Sequence, residues 1–153
     1  MGIPPNIELA TPTDWPQIAD LLNSVELPLD GLAEHLESTF VAEIGNEIVG
    51  CAGLELYGDC ALLRSVAVSR FHQGQGLGQK LTLAALDLAR MHGTRRVFLL
   101  TETAGEFFPR FGFKQTSRSD VPEIVQKSVE FTSVCPVSAL VMVLSLESKK
   151  DFA

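Results

Sequence analysis

One stretch of the chain, residues 63–81, constrains the fold more than any other. It starts as an apolar, β-rich run and passes through a loop that contains Gly74, Gly76 and Gly78. The apolar residues after the loop have the spacing of one helix face as far as Gly93, which closes the helix. Glycine lets a backbone approach a ligand closely, and the N–H groups at a helix start attract phosphate oxygens. The pattern therefore predicts a strand, a loop and a helix that hold a phosphate-bearing cofactor.

Two common phosphate-binding motifs do not fit this loop. A dinucleotide fold requires Gly-x-Gly-x-x-Gly after its first strand, but the sixth position counted from Gly74 is Gln79, and several predicted strands precede the loop. A nucleotide P-loop requires Gly-Lys followed by Ser or Thr, which the loop lacks. The cofactor is therefore expected to be of another phosphate-bearing kind.

Apolar periodicity predicts strands and helices along the rest of the chain. The predicted strands cover residues 7–10, 40–44, 48–56, 61–68, 97–100 and 139–146, with one more strand after Phe113. The predicted helices are one that carries Ile18, Leu21 and Leu22, and four that cover residues 29–36, 76–93, 103–110 and 121–129. No repeat or linker interrupts the series, which predicts a single mixed α/β domain over residues 1–153 with a core of about 6–147.

Composition narrows the class of partner. The chain has 153 residues, of which 46% are hydrophobic, which is enough for one substantial core. Its net charge of −7 repels phosphate backbones and anionic lipid, so neither a nucleic acid nor a membrane surface is an expected partner. No stretch reaches the length of an apolar membrane span and no signal segment opens the chain. We expect a soluble, cytoplasmic protein.

The three cysteines and three histidines do not indicate a metal centre. Cys51, Cys60 and Cys135 are odd in number and widely spaced, so reduced thiols are expected, with a thiol site for a soft metalloid as an open alternative. The histidines do not cluster in the sequence. No metal ligands are predicted.

The glycine loop, residues 73–78, resembles motif A of the GNAT superfamily of N-acetyltransferases. That motif reads Gln/Arg-x-x-Gly-x-Gly/Ala, and Gln73, Gly76 and Gly78 match it. The preceding residues 66–68 look like the superfamily's strand end, and residues 107–113 are similar to its Leu-Tyr-x-x-x-Gly-Phe element. The resemblance covers nearly the whole chain. It implies an α/β fold with a mixed central sheet of about six to seven strands and helices on both faces.

The same resemblance implies acetyl-CoA as a cosubstrate. Backbone amides of the glycine loop would cradle the pyrophosphate, a splay between the strands ending near Val68 and Thr101 would admit the pantetheine arm, and the Val68 N–H would stabilise the oxyanion. Thr101 stands where many members have Asn. The implied cofactor contacts are Val66, Ala67, Val68, Gln73, Gly74, Gln75, Gly76, Leu77, Gly78 and Thr101.

Four further segments narrow the resemblance. Residues 53–59, 62–65, 99–103 and 135–139 look like the N-acetyltransferase subfamily of bacterial arsenic-resistance operons, which is similar to the acetyltransferase domain of N-acetylglutamate synthases. This implies a small, amino-acid-like amine as the acceptor, an arsenic-containing amino acid being one member of that class. A homodimer is one expected assembly. Synthesis of N-acetylglutamate is the alternative activity.

Acetyl transfer needs a base for the amine and a proton for the leaving thiolate. Glu55 and Glu102 are the candidate bases or water positioners, because each lies in or at the end of an apolar strand; Glu55 alternates with leucines, so a solvent-facing position is the other interpretation. Tyr57 is the candidate acid or a core residue. Arg64 is interpreted either as a surface charge or as a fork that binds a substrate carboxylate or an arsonate-like oxyanion.

One position departs from the superfamily pattern. Phe108 stands where many members have Tyr, and Phe cannot donate a proton to the leaving sulfur. The departure leaves open a function without catalysis, namely a module that only binds acyl-CoA.

Overall fold

The computed structural model describes residues 4–102, 106–128, 130–131 and 139–146. Within these residues the strands are β1 (Asn6–Leu9), β2 (Thr39–Ile44), β3 (Glu47–Tyr57), β4 (Cys60–Val68), β5 (Arg96–Thr101), β6 (Lys114–Thr116) and β7 (Leu140–Ser145). The α-helices are α1 (Trp15–Ser24), α2 (Leu77–Met91) and α3 (Glu123–Gln126). Short 3-10 turns cover Pro12–Asp14, Leu32–Ser38, Arg70–His72, Phe108–Phe111 and Arg118–Asp120.

The seven strands hydrogen-bond in the order β1-β2-β3-β4-β5-β7-β6. Strands β4 and β5 are parallel, whereas β1–β2, β2–β3, β5–β7 and β6–β7 are antiparallel. The sheet is therefore mixed, which confirms the predicted α/β class and the strand number.

The chain divides into two compact units, one formed by Met1–Glu55 with Leu63–Leu88 and the other by Leu56–Leu62 with Ala89–Ala153. The core of the first unit contains Ile18 and Leu22 of α1, Leu32, and Val41 and Cys51 of the strands. Ile18, Leu21 and Leu22 are the residues whose spacing predicts α1, and all three are buried. The apolar face of α1 therefore builds this core as the sequence predicts.

The predicted helix over residues 29–36 is wrong in type and in position. The structure has a 3-10 segment, Leu32–Ser38, whose N-cap is Gly31 at φ 81° and which contains a non-helical residue, His35, at φ −124° and ψ 24°. A left-handed glycine cannot continue a right-handed helix, so the helical turns start after it. Within the segment, the backbone of His35 forms a kink.

The second unit has its own core around β5. Phe98 of β5 packs with Cys60, Leu62, Val121, Val125 and Val141, which fits the prediction that residues 97–100 form a buried strand. The predicted helix over 121–129 is too long, because the structure gives only Glu123–Gln126 as helix, after Pro122 at φ −59° and ψ 147°. Of the predicted helix over 103–110, residues 103–105 lie outside the described part, and a 3-10 turn covers Phe108–Phe111.

Helix α2 ends as predicted, at a left-handed glycine. The φ of 79° at Gly93 allows the N–H groups of Gly93 and Thr94 to bind the carbonyls of Arg90 and Ala89. Neither α2 nor any other helix in the described residues has the length and apolar content that a bilayer crossing requires.

Candidate active site

The glycine loop places two left-handed glycines in open space directly before a helix. Gly74 and Gly76 have φ of 82° and 85°, and a Cβ atom built on either would meet no heavy atom within 4 Å. Helix α2 begins directly after the loop at Leu77. The first N–H groups of an α-helix have no partner within the helix, and they carry the positive end of its dipole. Open space therefore lies beside amides that are suited to phosphate oxygens.

The approach to this loop is held by hydrogen bonds at both ends. The Ser69 N–H donates to the Val49 carbonyl at 2.8 Å, and the His72 N–H donates to the Ser69 carbonyl at 2.8 Å. The side chain of Gln73, the first residue of the resembled motif, donates from Nε2 to the Val68 carbonyl at 3.0 Å. Gln73 thereby ties the start of the loop to the end of β4, which gives this glutamine a structural role.

Strand β4 contains a local backbone irregularity before the loop. Ser65 has φ of 58°, which is uncommon for a residue with a Cβ atom and costs free energy. The Ser65 carbonyl accepts a hydrogen bond from the Cys51 thiol at 3.2 Å. All residues from Cys60 to Arg64 are buried, so both faces of the strand are covered up to this point.

Two of the predicted site residues form a buried ion pair. Nη1 of Arg64 lies 2.9 Å from Oε2 of Glu55, and the two side chains are 0% and 1% exposed. Nε of Arg64 donates to the Ser65 hydroxyl at 3.1 Å. The interpretations of Glu55 as a solvent-facing residue and of Arg64 as a surface charge are therefore wrong. A buried charge needs a partner, and here each supplies the other's.

A third ionisable residue, which sequence pattern does not single out, lies beside this pair. Nε2 of His35 is 4.0 Å from Oε2 of Glu55, and the His35 side chain is 25% exposed. His35 is twenty residues from Glu55 in sequence and lies in the kinked 3-10 segment. No local pattern connects the two positions, so only the tertiary structure reveals the contact.

The remaining candidates belong to the second unit. Tyr57, at the end of β3, is half-buried and packs against the Phe98 core. Glu102 is exposed and directly follows β5, whose last residue, Thr101, is half-buried. Their predicted roles, as acid, base and cofactor contact respectively, stay predictions.

Phe108 lies in a cluster of aromatic rings. It meets Phe107 edge to face at 5.0 Å between centroids and Phe113 at 5.9 Å. Edge-to-face contacts of this kind stabilise aromatic clusters.

The described cysteines are poor candidates for a thiolate site. Burial raises the pKa of Cys51 to about 12, although the Arg64 charge opposes the shift. Burial also raises the pKa of Cys60, and a hydrogen bond to Asp59 adds to the effect. Both thiols therefore remain protonated near neutral pH, whereas soft ions bind the thiolate. Cys135 lies outside the described residues, and within them no group of three His, Cys, Asp or Glu side chains could hold a metal ion.

Comparison with known proteins decides the family. The model of the Acetyltransferase (GNAT) family matches residues 8–113. This chain belongs to the GNAT family. The predicted superfamily is thereby confirmed, and the glycine loop lies within the matched region of the GNAT chain.

Three GNAT relatives are similar over most of this chain. An amino-acid acetyltransferase of Mycobacterium tuberculosis is 34% identical over 76% of this chain and 72% of its own length. An amino-acid acetyltransferase of Neisseria meningitidis is 30% identical over 80% of this chain and 30% of its own length. The structure of N-acetylglutamate synthase from Neisseria gonorrhoeae, complexed with coenzyme A and N-acetyl-glutamate, has a TM-score of 0.82 at 27% identity and covers 97% of this chain and 36% of its own.

The GNAT chain thus spans about a third of the length of both Neisseria proteins. The family assignment itself rests on the match over residues 8–113. The individual site residues stay predictions, and so does the narrower resemblance to the arsenic-resistance subfamily.

Proposed function

We propose that this chain is an N-acetyltransferase that moves the acetyl group of acetyl-CoA to the amine of a small, amino-acid-like substrate. The observation that carries the proposal is the glycine loop, where two left-handed glycines leave open space beside the start of α2. Relatives named amino-acid acetyltransferase and a similar structure that holds coenzyme A support the same activity.

In the proposed reaction the amine nitrogen attacks the thioester carbon, a C–N bond forms and the C–S bond breaks. The ammonium form of the acceptor must first lose a proton, and the departing thiolate must gain one. We assign the developing oxyanion to the Val68 N–H and the pyrophosphate to the amides of residues 73–78. Backbone donors that are fixed before the reaction stabilise such charge without reorganisation.

The acceptor end of the site is proposed to use the Arg64 charge. An amino acid carries a carboxylate, and Arg64 is a guanidinium whose orientation is fixed by Glu55 at 2.9 Å and by Ser65 at 3.1 Å. A planar guanidinium is suited to recognising a carboxylate. Because the Arg64 side chain is 0% exposed and paired with Glu55, this contact requires the site to rearrange when the acceptor binds. On this proposal Glu55 acts mainly by positioning Arg64, and Glu102, which is exposed, is the alternative base.

Glutamate is the second candidate acceptor. It is favoured by the N-acetyl-glutamate in the Neisseria gonorrhoeae structure, which is similar to 97% of this chain. An arsenic-containing amino acid is also among the proposed acceptors, and its support is the sequence resemblance to the arsenic-resistance subfamily.

The deciding experiment is a thiol-release assay with acetyl-CoA against a panel of amino acids that includes glutamate and arsenic-containing analogues. Release of coenzyme A that depends on one of these amines supports the proposed activity and names the acceptor. Binding of acetyl-CoA in a calorimeter without turnover on any amine would favour the alternative of a non-catalytic acyl-CoA module.

A further inference from the structure

Phe71 is the most exposed large hydrophobic side chain in the part of the chain that the structure describes, at 90%. The other exposed large hydrophobic side chains there, such as Met91 and Ile124, are all aliphatic. An exposed phenyl ring contributes none of the free energy that burial of an aromatic side chain gives. Fold stability therefore does not explain why an aromatic residue occupies this position.

The backbone that carries this ring is fixed. Arg70, the preceding residue, donates from Nε and Nη2 to the Ser24 carbonyl at 3.1 and 3.0 Å, which joins the turn to the end of α1. On either side of the ring, the N–H groups of Ser69 and His72 are held by the carbonyls of Val49 and Ser69. When a ligand covers the ring, only the side chain and not the backbone has to become ordered, which lowers the entropy cost of binding.

Phe71 precedes the glycine loop by two residues. Consecutive Cα atoms are about 3.8 Å apart, so the Cα atoms of Phe71 and Gln73 are separated by at most about 8 Å. In acetyl-CoA a single ribose joins the pyrophosphate to the adenine. A molecule whose pyrophosphate binds the loop can therefore bring its adenine within reach of Phe71.

We propose that Phe71 is a stacking platform for the adenine of acetyl-CoA. The inference rests on the proposed function and adds to it a contact for the nucleotide end of the cosubstrate. Adenine has a π face that stacks on aromatic rings, and this attraction does not require charge. That property matters for a chain of net charge −7, which repels the phosphates of the same ligand over most of its surface.

The test compares two ligands, acetyl-CoA and S-acetyl-4′-phosphopantetheine, which lacks the adenosine together with one phosphate of the pyrophosphate and the ribose 3′-phosphate. Calorimetric titration of Phe71→Ala should show acetyl-CoA affinity reduced roughly 5- to 150-fold, the range expected for loss of one base-stacking contact. Affinity for S-acetyl-4′-phosphopantetheine should not change. Phe71→Trp should keep wild-type affinity for both ligands, and Phe71→Leu, which keeps apolar bulk without a π face, should behave like the alanine variant.

Met91→Ala is the matched control, because Met91 is 82% exposed and lies at the far end of α2 from the loop. It should bind both ligands as the wild type does. The ratio of acetyl-CoA affinities between wild type and Phe71→Ala should also be the same at low and high salt, because an uncharged stack is not screened.

Two results would overturn the inference: unchanged acetyl-CoA affinity in Phe71→Ala, or an equal loss for both ligands, which would mean that the substitution distorts the loop. Either result would leave the proposed function intact, because the wild type would still bind acetyl-CoA. Failure of the wild type to bind acetyl-CoA would instead reject the proposed function together with the stacking role.

Discussion

Arg64 and Glu55 face each other inside the protein, with Nη1 and Oε2 2.9 Å apart and both side chains withdrawn from solvent. Removing two charges from water is costly, and the attraction between them offsets that cost only when the geometry is good. Such a pair is therefore weak evidence for stability by itself. The position of Arg64 two residues before Val66, next to the irregular Ser65, is what links the pair to the candidate site.

Separating the two roles of this pair requires single and double variants. Arg64→Met should lower the free energy of unfolding by about 3–5 kcal/mol, because it leaves the Glu55 carboxylate buried without this cation. The double variant Arg64→Met with Glu55→Leu should recover most of that loss, since a well-packed apolar pair removes both charges. Urea unfolding of the three proteins measures both effects.

The same double variant tests the proposed substrate role. If Arg64 binds the acceptor carboxylate, the double variant should have a higher KM for the acceptor than the wild type, although its stability has recovered. Its acetyl-CoA affinity should stay near that of the wild type. Loss of one charged hydrogen bond corresponds to about 1.5–3 kcal/mol. A double variant with wild-type acceptor KM would reduce the pair to a structural element.

The cofactor assignment is tested at Gly76. Gly76→Val should abolish measurable acetyl-CoA binding, because a branched side chain would occupy the open space beside the loop amides and cannot adopt φ of 85° without strain. Gly45→Val is the matched control, since Gly45 has φ of 63° in the turn between β2 and β3 and is equally free of neighbours. It should suffer similar backbone strain, seen as a lower melting temperature, yet bind acetyl-CoA normally. Normal binding by a folded Gly76→Val would discard the loop as the cofactor site.

The elements that the sequence predicts well are those determined by local pattern. Helix α2 follows from the spacing of apolar residues and from Gly93, and β5 follows from its continuous apolar run. Residues 29–36 have the apolar spacing of an α-helix, yet the structure has a 3-10 segment at Leu32–Ser38. The spacing does not show that Gly31 is left-handed. Local spacing alone thus does not distinguish the two kinds of helix.

The spacing of residues within one strand does not predict the Glu55–Arg64 ion pair, but the turn between the two strands does indicate it. The turn at Gly58 connects β3 to β4, and a Cβ atom on Gly53 would lie 3.3 Å from the Arg64 carbonyl, which places these two residues close together across the two strands. Glu55, two positions along from Gly53, then reaches Arg64 diagonally, as side chains of paired strands do. The hairpin register therefore links the two charges. His35 has no comparable signal, because its contact depends on the kinked segment.

Alkaline pH should destabilise the protein through Cys51. Its pKa is raised by burial from 9.0 to about 12, so between these pH values the folded state keeps a proton that the unfolded state has lost. The contribution is fully present below pH 9, and the free energy of unfolding falls by about 1.4 kcal/mol per pH unit as the pH rises toward 12. Cys51→Ala should reduce this slope in urea unfolding at a series of alkaline pH values. An identical slope in the variant would contradict the buried-thiol explanation.

The proton that the leaving thiolate needs has no donor at Phe108, so the last prediction concerns this position. Phe108→Tyr should fold normally, because the two side chains share a shape and the contacts with Phe107 and Phe113 are made by ring edges and faces. Its turnover should stay within about tenfold of wild type, since a site that works without this hydroxyl obtains its proton from Tyr57 or from water.

General acid catalysis is worth about 10² to 10⁴-fold. Rates of Phe108→Tyr and Tyr57→Phe over a pH series therefore separate the routes: a loss below about tenfold in Tyr57→Phe leaves water as the donor. A gain of more than about a hundredfold in Phe108→Tyr would show that the native site lacks a needed acid, and would favour the acyl-CoA-binding module.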